Sequence, residues 1–145
     1  RGYRPGTDAV TASMPGGTLG LSICYDVRFA YLYRRLAQAG AQILTVPSAF
    51  SVPTGRAHWE VLLRARAIET GCFVVAPAQT GTHRASRGKE RQTYGHSLVV
   101  APWGEVILDA GDAVGLSMVD LDLSKVDKAR AQIPSLRHDR PFDGP

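Results

Sequence analysis

A thiol is the strongest common side-chain nucleophile near neutral pH, and this chain has two, Cys24 and Cys72. Cys24 closes an alternating run and precedes the turn Tyr25-Asp26-Val27-Arg28. A strand end that leads through a turn into a helix holds a side chain firmly yet leaves it open to a cleft. Backbone N–H groups there can stabilise an anion. Arg28 and the helix start would both favour the thiolate. On position alone, a lone Cys at a strand end is more often a small buried hydrophobe. Cys72 is the internal comparison. It opens the apolar run Cys72-Phe73-Val74-Val75-Ala76 with no charged neighbour close by, so it reads as inert.

Other catalytic patterns fit less well. No G-x-S-x-G or G-x-C-x-G elbow surrounds Cys24, which weakens a Cys–His–Glu glutaminase reading. A Cys24–His pair within hydrogen-bond reach would favour that class. Of the histidines His58, His83, His96 and His138, His96 follows Gly95 at a strand start and reads as structural. There is no CxxC pair and no Cys/His cluster at zinc spacing, so no metal site and no cofactor are expected.

The elements that must position Cys24 follow from periodicity. In Thr18 to Cys24, Leu19, Leu21 and Ile23 point one way and Gly20, Ser22 and Cys24 the other, as in a strand. The small face implies that something packs or binds closely. Phe29, Leu32, Leu36 and Ala39 form a helical stripe that Gly40 stops. Ala41 to Val46 reads as a buried strand ended by Pro47. Strand, helix and strand make a βαβ unit with parallel strands. Residues 47–57 read as a loop around Pro53, Thr54 and Gly55. His58 to Thr70 reads as a second helix, with Glu60 and Arg64 at i, i+4 and an apolar surface wider than one sheet face needs. Gly71 stops it, and residues 72–76 form a third buried strand.

Ser97 to Val100 and Val106 to Leu108 read as a hairpin through Ala101-Pro102-Trp103-Gly104. Residues 115–123 alternate again. Ser124 with Asp127 reads as a capping-box helix start, and Pro134 ends that helix. Residues 135–145 form a polar extended tail, either mobile or docked on a partner. Residues 1–145 thus read as one α/β domain segment.

Composition agrees with a globular domain: 145 residues, 44% hydrophobic and 21% charged. No apolar run approaches the ~20 residues needed to span a bilayer. Few cysteines, and no apolar stretch of signal-peptide kind after Arg1 to Gly6, point to the cytoplasm. The chain has no initiating Met and reads as a fragment or a processed piece. The net charge of +4 is mostly local: the stretch Thr82 to Thr93 holds Arg84, Arg87, Lys89 and Arg91 against Glu90, or +3. No aromatic residues interleave these charges, so a solvated loop or one meeting an acidic substrate is expected rather than a nucleic-acid surface.

Several local words then agree. Gly20-Leu21-Ser22-Ile23-Cys24-Tyr25-Asp26-Val27-Arg28-Phe29 resembles the nucleophile segment of the nitrilase, or carbon–nitrogen hydrolase, superfamily. Pro47-Ser48-Ala49-Phe50, Thr54-Gly55, the helix His58 to Glu69, Tyr94-Gly95-His96-Ser97 and Pro102-Trp103-Gly104-Glu105 continue the resemblance in order. Ile133-Pro134 with Arg137-His138 is similar to the family's C-terminal turn. The branch it most resembles is that of deaminated-glutathione amidases and ω-amidases.

The resemblance implies the C-terminal half of an αββα four-layer sandwich that forms a homodimer or a higher homo-oligomer. It implies hydrolysis of an amide in a small carboxylated molecule, such as a keto-acid amide, through a thioester. Cys24 would be the nucleophile and the Tyr25 N–H an oxyanion donor. Arg28 would hold a substrate carboxylate, with an ion pair to Asp26 or Glu60 as its structural alternative. Phe50 and Thr54 would line the pocket.

Two departures stand out. Ala30-Tyr31 replaces the family's Pro-Glu or Ala-Glu. The family's catalytic Glu and Lys precede its Cys, yet residues 1–23 hold neither. A non-catalytic fragment or pseudoenzyme that only associates is therefore the alternative for this chain.

Overall fold

A computed structural model describes residues 4–84 and 88–144. A hairpin of β1 (Val10–Met14) and β2 (Gly17–Leu21) leads through a 3₁₀ turn, Cys24–Arg28, into helix α1 (Ala30–Gln38). Strand β3 (Ile43–Thr45) follows, then α2 (Val52–Thr70) and β4 (Phe73–Ala76). The polar hairpin β5 (Thr80–His83) and β6 (Arg91–Tyr94) precedes a second hairpin, β7 (Leu98–Val100) and β8 (Val106–Asp109). Helix α3 (Ser124–Gln132) and a 3₁₀ turn at Ser135–Arg137 complete the order.

Among the described residues, the main sheet runs β1-β2-β3-β4-β7-β8. The pairs β2/β3 and β3/β4 are parallel, as the βαβ reading expects. Gly40 and Gly71 stop their helices at positive φ, +95° and +60°.

Side chains alternate across the sheet. Leu44 and Val74 face α1 and α2, joining Val27, Tyr33, Leu36, Trp59 and Leu63 in the larger core. Ile43 and Phe73 face the other way, with Ala101 and Val126 of the α3 side. The small face of β2 is explained by packing. A Cβ on Gly20 would lie 2.8 Å from a Leu44 methyl and 3.1 Å from Leu36 Cβ. On the opposite face of β2, Leu19 packs with the α3-side cluster, and past the strand's end Ile23 is 67% exposed.

Several expectations need correction. Helix α2 starts at Val52, so Pro53, Thr54 and Gly55 form its first turn rather than a loop centre. Proline is tolerated there because the first N–H groups of a helix have no partner to lose. Gly55 serves a close approach, since a Cβ there would fall 2.2 Å from the Tyr94 ring. The buried stripe of α1 is Tyr33, Leu36 and Ala37, with Phe29 and Ala39 off it. The basic stretch is framed by β5 and β6, with Arg87 outside the described residues.

Residues 115–123 form no strand despite their alternation. Leu116 is 90% and Met118 88% exposed. Ser124 is not a cap. Its N–H donates to Asp122 Oδ1 at 3.0 Å, so Asp122 does the capping. The tail begins docked on α1, where Arg34 Nε donates to Asp139 at 2.8 Å and Gln38 to the Leu136 carbonyl at 3.1 Å. Glu60 and Arg64 do pair, at 3.4 Å.

Candidate active site

Cys24 lies just beyond β2, where parallel pairing continues one step past the ladder. Ser22 N–H donates to Thr45 O at 3.2 Å and Cys24 N–H to Pro47 O at 3.0 Å. The backbone of Cys24 then turns left-handed, with φ +49°. For a residue with a side chain that conformation is strained, by roughly 1–3 kcal/mol, and persists only when the surroundings over-determine it. No glycine-flanked elbow marks this in the sequence, yet the geometry is elbow-like.

Asp26 builds the turn. Its carboxylate accepts the Ile23 N–H at 2.8 Å, and its own N–H donates to Ile23 O at 3.0 Å. Among the described residues no hydrogen bond takes up the Tyr25 N–H. Cys24 is half-buried.

Arg28 ends the same turn. Its guanidinium carbon lies 5.3 Å from the Tyr25 ring centre and 5.5 Å from that of Phe50. Its Nη2 is 3.3 Å from His58 Nδ1. The salt bridges among the described residues include neither Arg28–Asp26 nor Arg28–Glu60. A planar cation stacked on two rings, with its edge unpaired to a carboxylate, suits an incoming anion.

Phe50 is placed by Trp59, ring centres 4.9 Å apart. The Thr54 hydroxyl turns toward Ser51, 2.8 Å from its Oγ and 3.2 Å from its carbonyl. The structure therefore brings together Cys24, Tyr25, Arg28 and Phe50, while Thr54 secures the start of α2. The polar hairpin is fastened alongside. Tyr94 N–H donates to Phe50 O at 3.0 Å, and Arg91 donates to Ala49 O.

Sequence reasoning gave no role to His58, Tyr33, Ser22 or Arg66. Arg66 did carry a signal, since it shares a helical face with Trp59, Leu63, Ala67 and Thr70, where an apolar residue is expected. Tyr33 and Ser22 are joined behind the turn, 2.6 Å apart. Burial pushes the Tyr33 hydroxyl up to about 12, and its hydrogen bond with Ser22 offsets part of that rise.

Among the described residues no histidine hydrogen-bonds Cys24, so the glutaminase reading gains no support. His96 is held by Asp109, 3.0 Å away, and its carbonyl accepts the Trp59 indole N–H at 2.7 Å. Among the described residues no group of three or more His, Cys, Asp or Glu is arranged to hold a metal ion. Among them, too, no helix is long and apolar enough to cross a membrane.

Two large cavities lie away from this cluster. One of about 840 Å³ runs under Val75, Leu98, Val99 and the segment with Leu116 and Met118. One of about 490 Å³ lies between Trp103, Ile68 and Arg130. Neither is lined by Cys24, Arg28 or Phe50.

The family model for carbon–nitrogen hydrolases matches residues 3–131. The chain belongs to the carbon–nitrogen hydrolase family. It is 53% identical over 129 residues to the deaminated glutathione amidase of Homo sapiens, covering 89% of this chain and 38% of that protein. The structure of the Caenorhabditis elegans NitFhit protein superposes with a TM-score of 0.87 at 50% identity, over 94% of this chain and 32% of that one. A mutant of the amidase from Nesterenkonia sp. AN1 shows the result of Michael addition of acrylamide at its active-site cysteine. It superposes with a TM-score of 0.72 at 31% identity, over 91% of this chain and 50% of that one. This carbon–nitrogen hydrolase chain spans less than half the length of the curated amidases it matches, 38% of the human one and 43% of the Synechocystis one.

Proposed function

We propose that this chain carries the nucleophile-bearing part of a cysteine-dependent amidase acting on a small carboxylated amide, such as a keto-acid amide. One observation carries the reading: a strained, half-buried Cys24 on a turn that also presents a stacked Arg28 and a Tyr25 N–H with no partner among the described residues. The names of the relatives support amide hydrolysis.

Arg28 and Phe50 hold the substrate carboxylate and chain. The Cys24 thiolate attacks the carbonyl carbon, and the Tyr25 N–H faces the oxyanion that forms. The C–N bond breaks as the amine takes a proton, leaving a thioester. Water then attacks the thioester, releasing the acid and restoring the thiol. The proton carrier and second oxyanion donor correspond to the family Glu and Lys, which have no match in residues 1–23. Losing one oxyanion donor alone costs ~10²–10³ in rate. A chain without either group is expected not to turn over by itself, which keeps a merely associating role as the second reading. Exposed Val61 and Ile68 on α2 support the expected homodimer.

The test is an assay on keto-acid amides, with the chain alone and with the N-terminal half of the family domain supplied separately. Turnover should need both pieces and vanish in Cys24→Ala. Arg28→Lys should lose about tenfold more on carboxylated than on uncharged amides, because the bidentate fork is gone. Equal losses would make Arg28 structural. No turnover from the two pieces together would favour the associating role.

A further inference from the structure

Behind the candidate nucleophile lies a buried cation that the proposed chemistry does not use. Arg66, in the middle of α2, is only 6% exposed. A buried guanidinium must be paired and hydrogen-bonded to be tolerated. Its Nη1 meets Glu69 Oε1 at 2.6 Å. Its Nε donates at 2.8 Å to the carbonyl of Val27, inside the Cys24–Arg28 turn. Its guanidinium carbon also lies 5.6 Å from the centre of the Tyr33 ring.

The Tyr33 hydroxyl reaches the other flank of the nucleophile. Ser22 Oγ, 2.6 Å from it, donates its one proton to Thr45 O at 2.8 Å. The Tyr33 O–H is then the donor to Ser22. Arg66 thus touches the turn three residues after Cys24 and, through Tyr33, the strand end two residues before it.

A left-handed Cys24 needs this kind of over-determination. On the sheet side the restraints are backbone bonds to Thr45 O and Pro47 O, which no side-chain change removes. On the helix side the restraints are side chains: Asp26 ties the turn to Ile23 from within, and Arg66 reaches the turn's backbone from α2. We propose that Arg66 is a positioning residue that holds the Cys24–Arg28 turn in its strained form, and so sets the exposure of the thiol and the aim of the Tyr25 N–H. This rests on Cys24 being the nucleophile. Arg66 touches no substrate in this role. A local displacement of about 1 Å is enough to cost ~10²-fold in a positioned reaction.

The experiment is timed iodoacetamide labelling of the folded chain, with peptide mapping of both cysteines. Buried Cys72 serves as the internal report of folding. Arg66→Lys keeps the charge and a donor, whereas Arg66→Met keeps only the stem. Labelling of Cys24 should slow by about tenfold in Lys and about a hundredfold in Met, with Cys72 still protected in Lys. Should Met not fold, the Lys variant decides alone. A wild-type rate at Cys24 in Arg66→Lys with Cys72 protected overturns the proposal. So does slowing that comes only with exposure of Cys72, because Arg66 would then serve stability alone. If the wild-type chain labels at Cys72 in preference to Cys24, the nucleophile reading itself falls first, separately from any result at Arg66.

Discussion

The two cysteines each have an arginine nearby, and the arginine is not what separates them. Arg28 shares the turn with Cys24, whereas Arg130 Nη2 donates directly to Cys72 Sγ at 3.1 Å. By proximity to a cation alone, Cys72 would be the more activated. Yet Cys72 is 0% exposed, and burial pushes its thiol up despite Arg130. Its sulfur also donates to Ala41 O at 3.3 Å, which holds it in thiol form. Cys24 sits on a strained turn and is only half-buried. Access and backbone geometry, not a neighbouring charge, distinguish the candidate nucleophile from the buried thiol.

The largest expected effect is in labelling. Cys24 should react with iodoacetamide about a thousandfold faster than Cys72, which reacts only through an opening of the core. Peptide mapping after brief exposure measures this, and comparable rates would erase the contrast.

Next is the support behind Cys24. The raised Tyr33 makes a stability that is complete below the unfolded value near 10 and is lost as pH rises through about 12. Wild-type stability should therefore fall by about 2–3 kcal/mol between pH 9.5 and 12, and Tyr33→Phe should lack that part of the slope. Urea unfolding at several pH values reads it, and parallel slopes would refute it.

The smallest effect concerns Cys72. Arg130 also donates to Ala41 O at 2.7 Å and to Thr70 O at 3.2 Å, so it acts as a clasp between α3 and the sheet. Arg130→Met should cost about 1–2 kcal/mol in urea unfolding and hasten Cys72 labelling, with Cys24 labelling unchanged. A change at Cys24 would show that the two regions are coupled.

Much of this frame was legible in the residues. The β2-α1-β3 unit and both glycine stops follow from periodicity and local backbone freedom. The start of α2 was missed because Pro53, Thr54 and Gly55 carry turn chemistry that a helix N-terminus also accepts. Strands β5 and β6 were missed because they are polar and are held from outside, through the Ser51–Thr93 bridge. Residues 115–123 had the strand pattern without a strand, since a pattern supplies no pairing partner.

At the site, Cys24 and Arg28 came from one short segment and were readable together. The stacking of Arg28 on Phe50 joins distant segments, and the pairing of Arg130 with Cys72 spans 58 positions. Neither has a local signature, and the second overturned the expectation that Cys72 has no charged neighbour.

Gly55 bears on how this chain can drift. Tyr94 lies against it, stacks on His96 with centres 4.3 Å apart, and belongs to β6. Adding one methyl at position 55 would lever the aromatic ring, and with it the arm bearing Arg84, Lys89 and Arg91. The alphabet at position 55 therefore shrinks to a single letter so long as an aromatic residue occupies 94. Of the exposed cations on the arm, Arg91 is tied to Ala49 O, whereas Arg84 and Lys89 remain free to vary. Descendants of this sequence can rewrite the charge beside the Phe50 segment many times over without ever moving the hinge on which it is mounted.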